Sequence, residues 1–329
     1  MKPLKIMKKV IIALSGGVDS SVSAALLKRA GFDLTGVFMR LNGFDDGKRA
    51  KKVASELDIP FLVLDLRKEF KKTIIDYFLK EYREGRTPNP CVLCNKEIKF
   101  KFLIKKALEL KADYVATGHY ARVKDGRLYM GKDKEKDQSY FLWKLNYELK
   151  KIIFSVSPYT KTYVKELALK FNLKSYDKKE SQEVCFIKST TFDYLKKELG
   201  EKRGDIINEK GEKIGEHQGL WFYTIGQRKG IGLSSGPFYV VDKDIKNNAL
   251  VVSKKRKAQK EVRFIQANFI RSFSFPQRCK VKTRYKSDFS YGTLFKSKFI
   301  FDSPKEDITK GQSIVFYKGK EVIGGGVIK

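Results

Sequence analysis

Residues 10–29 read V-I-I-A-L-S-G-G-V-D-S-S-V-S-A-A-L-L-K-R, and the fold is decided there. Val10 to Leu14 is an unbroken apolar run, the pattern of a strand buried on both faces. Ser15 to Ser20 forms a tight polar turn with two glycines. A helix follows, with Val22, Ala25, Leu26 and Arg29 at three- and four-residue spacing. A strand that runs through a glycine turn into a helix start builds an anion site. The glycines let successive N–H groups converge, Ser20 or Ser21 is placed to cap the helix, and the helix dipole adds positive potential. No G-K-[ST] follows, so the turn is not a Walker A loop, and it lacks the G-x-G-x-x-G of a dinucleotide fold.

Outward from this unit the α/β rhythm continues. Gly31 is a C-terminal helix stop, Leu34 to Met39 a second strand, 47–57 a helix, Phe61 to Asp65 a third strand, and Phe70 to Tyr82 an amphipathic helix. Such alternation predicts a parallel sheet covered on both faces. Gly85 to Pro90 is irregular because two prolines bracket Asn89. A basic helix runs from the cysteines at 91 and 94 to about Leu110, and Ala112 to Thr117 is a further buried strand. Asp125-Gly126 marks a hairpin between 120–123 and 127–130. Helical patterns recur to about Phe171, and 177–187 is a charged loop that closes on an apolar pair around Cys185.

From about Gly200 short alternating runs take over, including 205–207, 238–242, 250–252, 281–285 and 313–317, with Ile225 among them. This predicts two small barrel-like β pieces, divided near the charge run 254–261. The expected organisation is an α/β parallel-sheet nucleotide domain over 1–195, a central β domain over 196–256 and a C-terminal β-barrel over 257–329.

The chain has 329 residues, with 69 Lys and Arg against 38 Asp and Glu, a net charge of +31. That excess, spread among 16 Tyr and 24 Phe, points to a polyanionic partner, nucleic acid first. No apolar run approaches the ~20 residues needed to span a bilayer. Residues 1–9 are basic but lack the apolar core of a signal peptide, so a cytoplasmic protein is expected. Cysteines at 91, 94, 185 and 279 are too few and too irregular for a disulfide scaffold. They suit catalysis or metal binding better. Cys91-x-x-Cys94 taken alone fits half a zinc site, a redox pair, or part of an iron–sulfur cluster with Cys185; the pairing of Cys94 with Cys185 as reacting thiols fits equally.

The S-G-G-V-D-S string resembles the pyrophosphate loop of ATP pyrophosphatases. The resemblance sharpens with T-P-N-P-C-V-L-C-N-K-E-I-K-F at 87–100, A-D-Y-V-A-T-G-H-Y-A-R at 112–122 and K-D-Q-S-Y-F-L at 136–142. S-Q-E-V-C-F-I at 181–187, Y-T-I-G-Q-R-K-G-I-G at 223–232 and G-G-G-V-I at 324–328 complete it. In this order the motifs are similar to those of the tRNA-specific 2-thiouridylase family across nearly the whole chain. The resemblance implies ATP-dependent 2-thiolation of the wobble uridine of tRNAs for lysine, glutamate and glutamine, with ATP cleaved to AMP and pyrophosphate.

By motif position it places Ala13, Leu14, Ser15, Gly16, Gly17, Val18, Asp19, Ser20, Met39 and Gly118 around ATP and Mg2+. It makes Cys185 the persulfide carrier, fed by a cysteine desulfurase or relay protein, and Cys94 the nucleophile that ends disulfide-bonded to it. Asn89, Pro90 and Cys91 face the target base, while His119, Lys136, Asp137, Gln138, Arg284, Tyr285 and Gln312 meet tRNA. A core histidine is the structural alternative for His119. Two departures stand out. Many relatives carry aspartate where this chain has Cys91, which raises a 4Fe-4S cluster on Cys91, Cys94 and Cys185 as a rival to the persulfide. The segment after Met39, R-L-N-G-F-D-D-G, is shortened, and its contacts with ATP are open. Cys279 is read as a buried thiol. Other pyrophosphate-loop ATPases, such as amidotransferase synthetases or a tRNA thiocytidine enzyme, and a non-catalytic RNA-binding protein are the remaining alternatives.

Overall fold

The computed structural model describes residues 7–174 and 184–329. Ser181 to Glu183 and most of the expected 177–187 loop therefore lie outside the described residues.

The N-terminal sheet has five strands, all parallel. They are β1 (Lys9–Ala13), β2 (Asp33–Arg40), β3 (Phe61–Asp65), β4 (Tyr114–Ala116) and β7 (Ile152–Ile153), in the order β3-β2-β1-β4-β7. Alternate residues of β1 serve opposite faces. Val10 and Ile12 join Leu34, Phe38, Ala24 and Leu27 on one side. Ile11 joins Val37, Val115, Phe100 and Leu103 on the other. The apolar run at 10–14 is needed because both faces are covered. At the β3 edge cover thins, and Leu62 and Val63 are exposed.

Helix α1 (Val18–Arg29) ends at Gly31, whose φ of 81° suits a residue without Cβ. Helix α2 is Lys48–Glu56. Helix α3 spans 67–83 and α4 spans 90–109, each with a π-type stretch inside. Pro90 begins α4 at a first-turn position, where its missing N–H costs nothing. The expected irregular segment thus stops at Asn89. Between 139 and 151 the backbone makes 3₁₀ turns rather than the expected helices. Tyr140, Leu142, Trp143, Leu145 and Leu149 are fully buried there, packed with Val315, Tyr317 and Val322 of the C-terminal sheet. Helices α5 (Lys161–Lys170) and α6 (Thr191–Leu199) follow.

A central four-stranded sheet comprises β8 (Gly204–Ile207), β9 (Lys213–His217), β10 (Tyr239–Asp244) and β11 (Ala249–Ser253). Ile225 lies in a loop, not a strand. The last region forms β12 (Ala258–Phe269), β13 (Gln277–Lys282), β14 (Ser290–Leu294), β15 (Lys298–Glu306), β16 (Ser313–Lys318) and β17 (Glu321–Ile328). Pairing of β12 with β17 closes these six into a barrel. Strand β12 starts inside the 254–261 charge run, so only 254–257 is left as a connection.

The hairpin of β5 (Ala121–Lys124) and β6 (Arg127–Met130) turns through Asp125 and Gly126, both at positive φ, as expected. It then pairs with β17, extending the barrel sheet with N-terminal strands. No helix among the described residues is long and apolar enough to cross a membrane.

Candidate active site

The strand order reverses between β1 and β4, since β2 and β3 lie to one side of β1 and β7 beyond β4. Crevices at such a switch point, outside the carboxyl ends of the strands, are where open α/β sheets take ligands. Ser15 to Ser20 fills this place. Gly16 has a φ of 68°, and a Cβ there would lie 2.6 Å from Arg49 Cβ and 2.8 Å from the Ala50 nitrogen of α2. Gly118, at the end of β4, approaches the loop so closely that a Cβ would meet the Ser20 nitrogen at 2.8 Å. Both glycines are required by close approach of backbone to backbone.

The hydroxyls of Ser20 and Ser21 do not cap α1. Both donate to the Gly17 carbonyl at 2.9 Å, and Gly17 itself is the N-cap without a side-chain bond. Ser20 Oγ also accepts from the Ser15 N–H at 3.2 Å, which folds the loop on itself. Asp19 Oδ1 accepts the Tyr120 hydroxyl at 2.7 Å, and Lys161 Nζ reaches Oδ1 and Oδ2 at 2.6 and 2.7 Å. Lys161, at the start of α5, was not anticipated from sequence.

The thiols belong to the same domain, where Met39 at the carboxyl end of β2 packs against the cluster that holds Cys94. Cys94 is buried in an apolar cluster with Phe78, Phe186 and Ile187, against which Met39 and Val184 pack. Cys91 and Cys185 keep exposed surface, yet protein crowds around them, as at the floor of a recess. Burial accordingly raises all three thiol pKa values, that of Cys94 to about 12. Lys99, one turn further along α4, opposes the shift at every one of them. Asn42, from the shortened segment after Met39, donates to the Cys185 carbonyl at 3.3 Å. That segment serves the Cys185 turn. All four cysteines are free thiols, and Cys279 is buried in the barrel core with its pKa pushed up to about 12.

The residues after Cys94 anchor α4. Asn95 Nδ2 donates to the Phe141 carbonyl at 3.1 Å, and Lys96 pairs with buried Glu148. Asn89 hydrogen-bonds the Tyr140 phenol, which donates to the Ser313 carbonyl at 2.9 Å. Pro90 is buried at the helix start.

Several residues expected at the tRNA surface also make hydrogen bonds within the protein, and of these Asp137 alone is buried while the others keep some exposed surface. Asp137 is buried and accepts from the Gly131 and Ser139 N–H groups and the Ser139 hydroxyl. Gln138 Oε1 accepts the Tyr120 N–H at 2.9 Å. Lys136 adjoins them, its backbone N–H bonded to Asp133. Arg284 Nη2 donates to the carbonyls of Ile225 and Asp307 and to Thr309 Oγ1, bridging the central domain and barrel. Gln312 Nε2 donates to the Thr87 and Pro88 carbonyls at 2.8 and 3.2 Å. Tyr285 lies 4.5 Å from the Phe141 ring. His119 sits between Phe100 and Phe154 with Nδ1 2.7 Å from Thr117 Oγ1, and burial lowers its pKa to about 3. It is a neutral imidazole in an aromatic cage. Among the described residues no three Cys, His, Asp or Glu side chains are gathered so as to hold a metal ion.

A glycine-loop α/β domain that also carries three thiols around one lysine, followed by a small β domain and a β-barrel, defines a class of three-part nucleotide-loop proteins. Family models match throughout: the tRNA methyl transferase HUP domain over residues 8–189, the tRNA methyl transferase PRC-barrel domain over 192–254, and the aminomethyltransferase beta-barrel domain over 258–328. The tRNA-specific 2-thiouridylase MnmA of Syntrophomonas wolfei is 41% identical over 97% of this chain and 99% of its own. That of Clostridioides difficile is 41% identical over 98% of each. Among solved structures, the NH3-dependent NAD synthetase of Campylobacter jejuni has a TM-score of 0.34 and 20% identity over 52% of this chain and 66% of its own, a likeness too slight to argue from. The chain belongs to the tRNA-specific 2-thiouridylase family.

Proposed function

We propose that the protein converts the wobble uridine of tRNAs for lysine, glutamate and glutamine to 2-thiouridine in the cytoplasm, spending ATP. The observation that carries this is the group of three thiols, Cys91, Cys94 and Cys185, that share one cation, Lys99, on the domain that bears the glycine loop. The family models speak of methyl transfer, but that reaction needs neither an anion loop nor paired thiols.

ATP is held by 13–20, Met39 and Gly118. The uridine C2 oxygen attacks the α-phosphorus, pyrophosphate leaves, and an O-adenylated base results. Oriented N–H groups of the loop stabilise the departing charge. The Asp19 carboxylate and the hydroxyls of Ser15 and Ser20 are hard oxygen donors suited to Mg2+, which would neutralise phosphate charge.

The terminal sulfur of a Cys185 persulfide attacks C2 and expels AMP. The Cys94 thiolate then attacks Cys185 Sγ, breaking its bond to the transferred sulfur. 2-Thiouridine is released and a Cys94–Cys185 disulfide remains, which an external thiol must reduce with two electrons. Asn89, Pro90 and Cys91 form the turn against the base. His119, as a neutral group, packs or hydrogen-bonds rather than pairing with phosphate. Lys136, Asp137, Gln138, Arg284, Tyr285 and Gln312 hold the tRNA-facing joint in shape.

The test is incubation with ATP, a persulfide donor and each substrate tRNA, read by retardation of thiolated tRNA in a mercury-containing gel. Appearance of 2-thiouridine with one AMP released per thiolation supports the reading. ATP cleavage with no thiolated product would overturn it.

A further inference from the structure

Behind the Asn89–Cys91 turn three parts of the chain meet around a cavity of about 60 Å³. Gly85 and Arg86 come from the segment after α3, Asp242 and Lys243 from β10, and Thr309 and Lys310 from the turn before β16. The space holds a few waters or one tetrahedral anion. Lys243 is among the lining residues, and its Nζ is shut off from solvent with no hydrogen-bond partner and no carboxylate acting on it. Burial alone lowers its pKa, to about 8. Of the acids in the lining, Glu84 is bonded to Arg86, and Asp242 brings a carboxylate whose Oδ1 accepts the Lys243 backbone N–H at 2.9 Å, so the lining balances one free carboxylate against the two lysines. Arg86 is neutralised in turn by Glu81 and Glu84. Lys310 adds an exposed second cation to the lining. A buried ammonium without a counter-charge is costly, and an anion of the right size relieves that cost.

We propose that this joint is a phosphate-binding site, with Lys243 and Lys310 taking one phosphate group between the three segments. The site lies directly upstream of the catalytic turn. The Thr87 N–H already donates to the Lys310 carbonyl at 2.9 Å, and Gln312 holds the Thr87 and Pro88 carbonyls. Occupancy therefore stiffens the chain leading into Asn89, Pro90 and Cys91. The ligand is inorganic phosphate or a phosphodiester of the RNA backbone; both offer the same oxygens.

The test is the titration of the Lys243 side chain in the full chain, by NMR of lysines labelled at Cε. The resonance is assigned by its loss in Lys243→Met, with Lys243→Arg as a second variant should that one fail to fold. Alone, it should titrate near 8. With the anion bound, its midpoint should move alkaline by about one unit or more. A shift with inorganic phosphate identifies a free-anion site, and a shift with tRNA only identifies a backbone phosphate. Phosphate held at the Ser15–Ser20 loop would leave this resonance still. No shift with either ligand, or an ordinary lysine midpoint before any is added, overturns the site. The free-phosphate arm is independent of the proposed reaction. Only the tRNA arm rests on it, and a chain that makes 2-thiouridine while Lys243 ignores both ligands would sink this site alone.

Discussion

Lys161 Nζ lies 2.6 and 2.7 Å from the two carboxylate oxygens of Asp19, joining the start of α5 to the glycine loop. The pair is mostly buried on the lysine side, and Tyr120 completes it through its hydroxyl. Under the proposed reaction this ammonium can exchange Asp19 for the pyrophosphate of ATP held at the loop. Lys161→Met is therefore expected to lower ATP–pyrophosphate exchange by roughly 100-fold or more, the size of effect seen when one preorganised donor is lost. Affinity for tRNA, measured by filter binding, should stay within about threefold, because the basic surface elsewhere holds the RNA. Undiminished exchange would remove Lys161 from the nucleotide site.

The thiols give a second expectation. Cys94→Ala and Cys185→Ala should each abolish thiolation, with persulfide accumulating on Cys185 in the former, and Cys91→Ala should be milder. Lys99→Met removes the one cation that opposes burial at all three sulfurs. Their pKa values then rise further, less thiolate is present at any given pH, and the ascending limb of the pH–rate profile moves alkaline by up to about one unit. Mass spectrometry of the trapped persulfide and rates across pH check both. A dead Cys91→Ala, together with inactivity of iron-free enzyme given persulfide, would reverse the preference for this route over a cluster.

The parts of this site that sequence revealed are those written in local pattern. Val10 to Ser20 states strand, turn and helix within a few residues, and the hairpin at Asp125-Gly126 states its own φ requirement. Lys161 and Asn42 were not visible, because their partners Asp19 and Cys185 lie more than a hundred residues away. The 139–151 segment looked helical for a related reason. Its apolar spacing serves a core shared with the barrel, where Trp143 Nε1 donates to Ser313 Oγ at 3.1 Å, rather than one helix face. Ser20 and Ser21 suited a cap by type, but their hydroxyls found the Gly17 carbonyl first.

Binding to tRNA should weaken steeply with salt, since a chain of net charge +31 displaces several phosphate counterions. Arg284→Ala acts differently from a lost phosphate contact. Its guanidinium holds two backbone carbonyls and Thr309 across the central–barrel joint. Leaving those acceptors unpaired should cost about 1–3 kcal/mol in urea unfolding. It should weaken binding of each of the proposed substrate tRNAs by one common factor without changing the salt slope. A slope reduced by about one, with unfolding untouched, would make Arg284 a direct phosphate ligand instead.

His119 provides a stability test whose sign is fixed by its surroundings. Caged by Phe100 and Phe154 and facing the charge of Lys99, its imidazole stays neutral down to about pH 3 in the folded protein. In the unfolded chain it takes a proton below about 6.5. Between those values the unfolded state binds more protons. Stability is therefore undiminished above 6.5 and is lost as pH falls toward 3, by up to about 1.4 kcal/mol per pH unit from this group. His119→Phe suits the cage and cannot titrate. Urea unfolding of the two proteins at neutral and mildly acid pH should diverge, the wild type losing more stability on acidification. Parallel loss in both would mean that the imidazole is already protonated in the folded state, and so free to meet a phosphate after all.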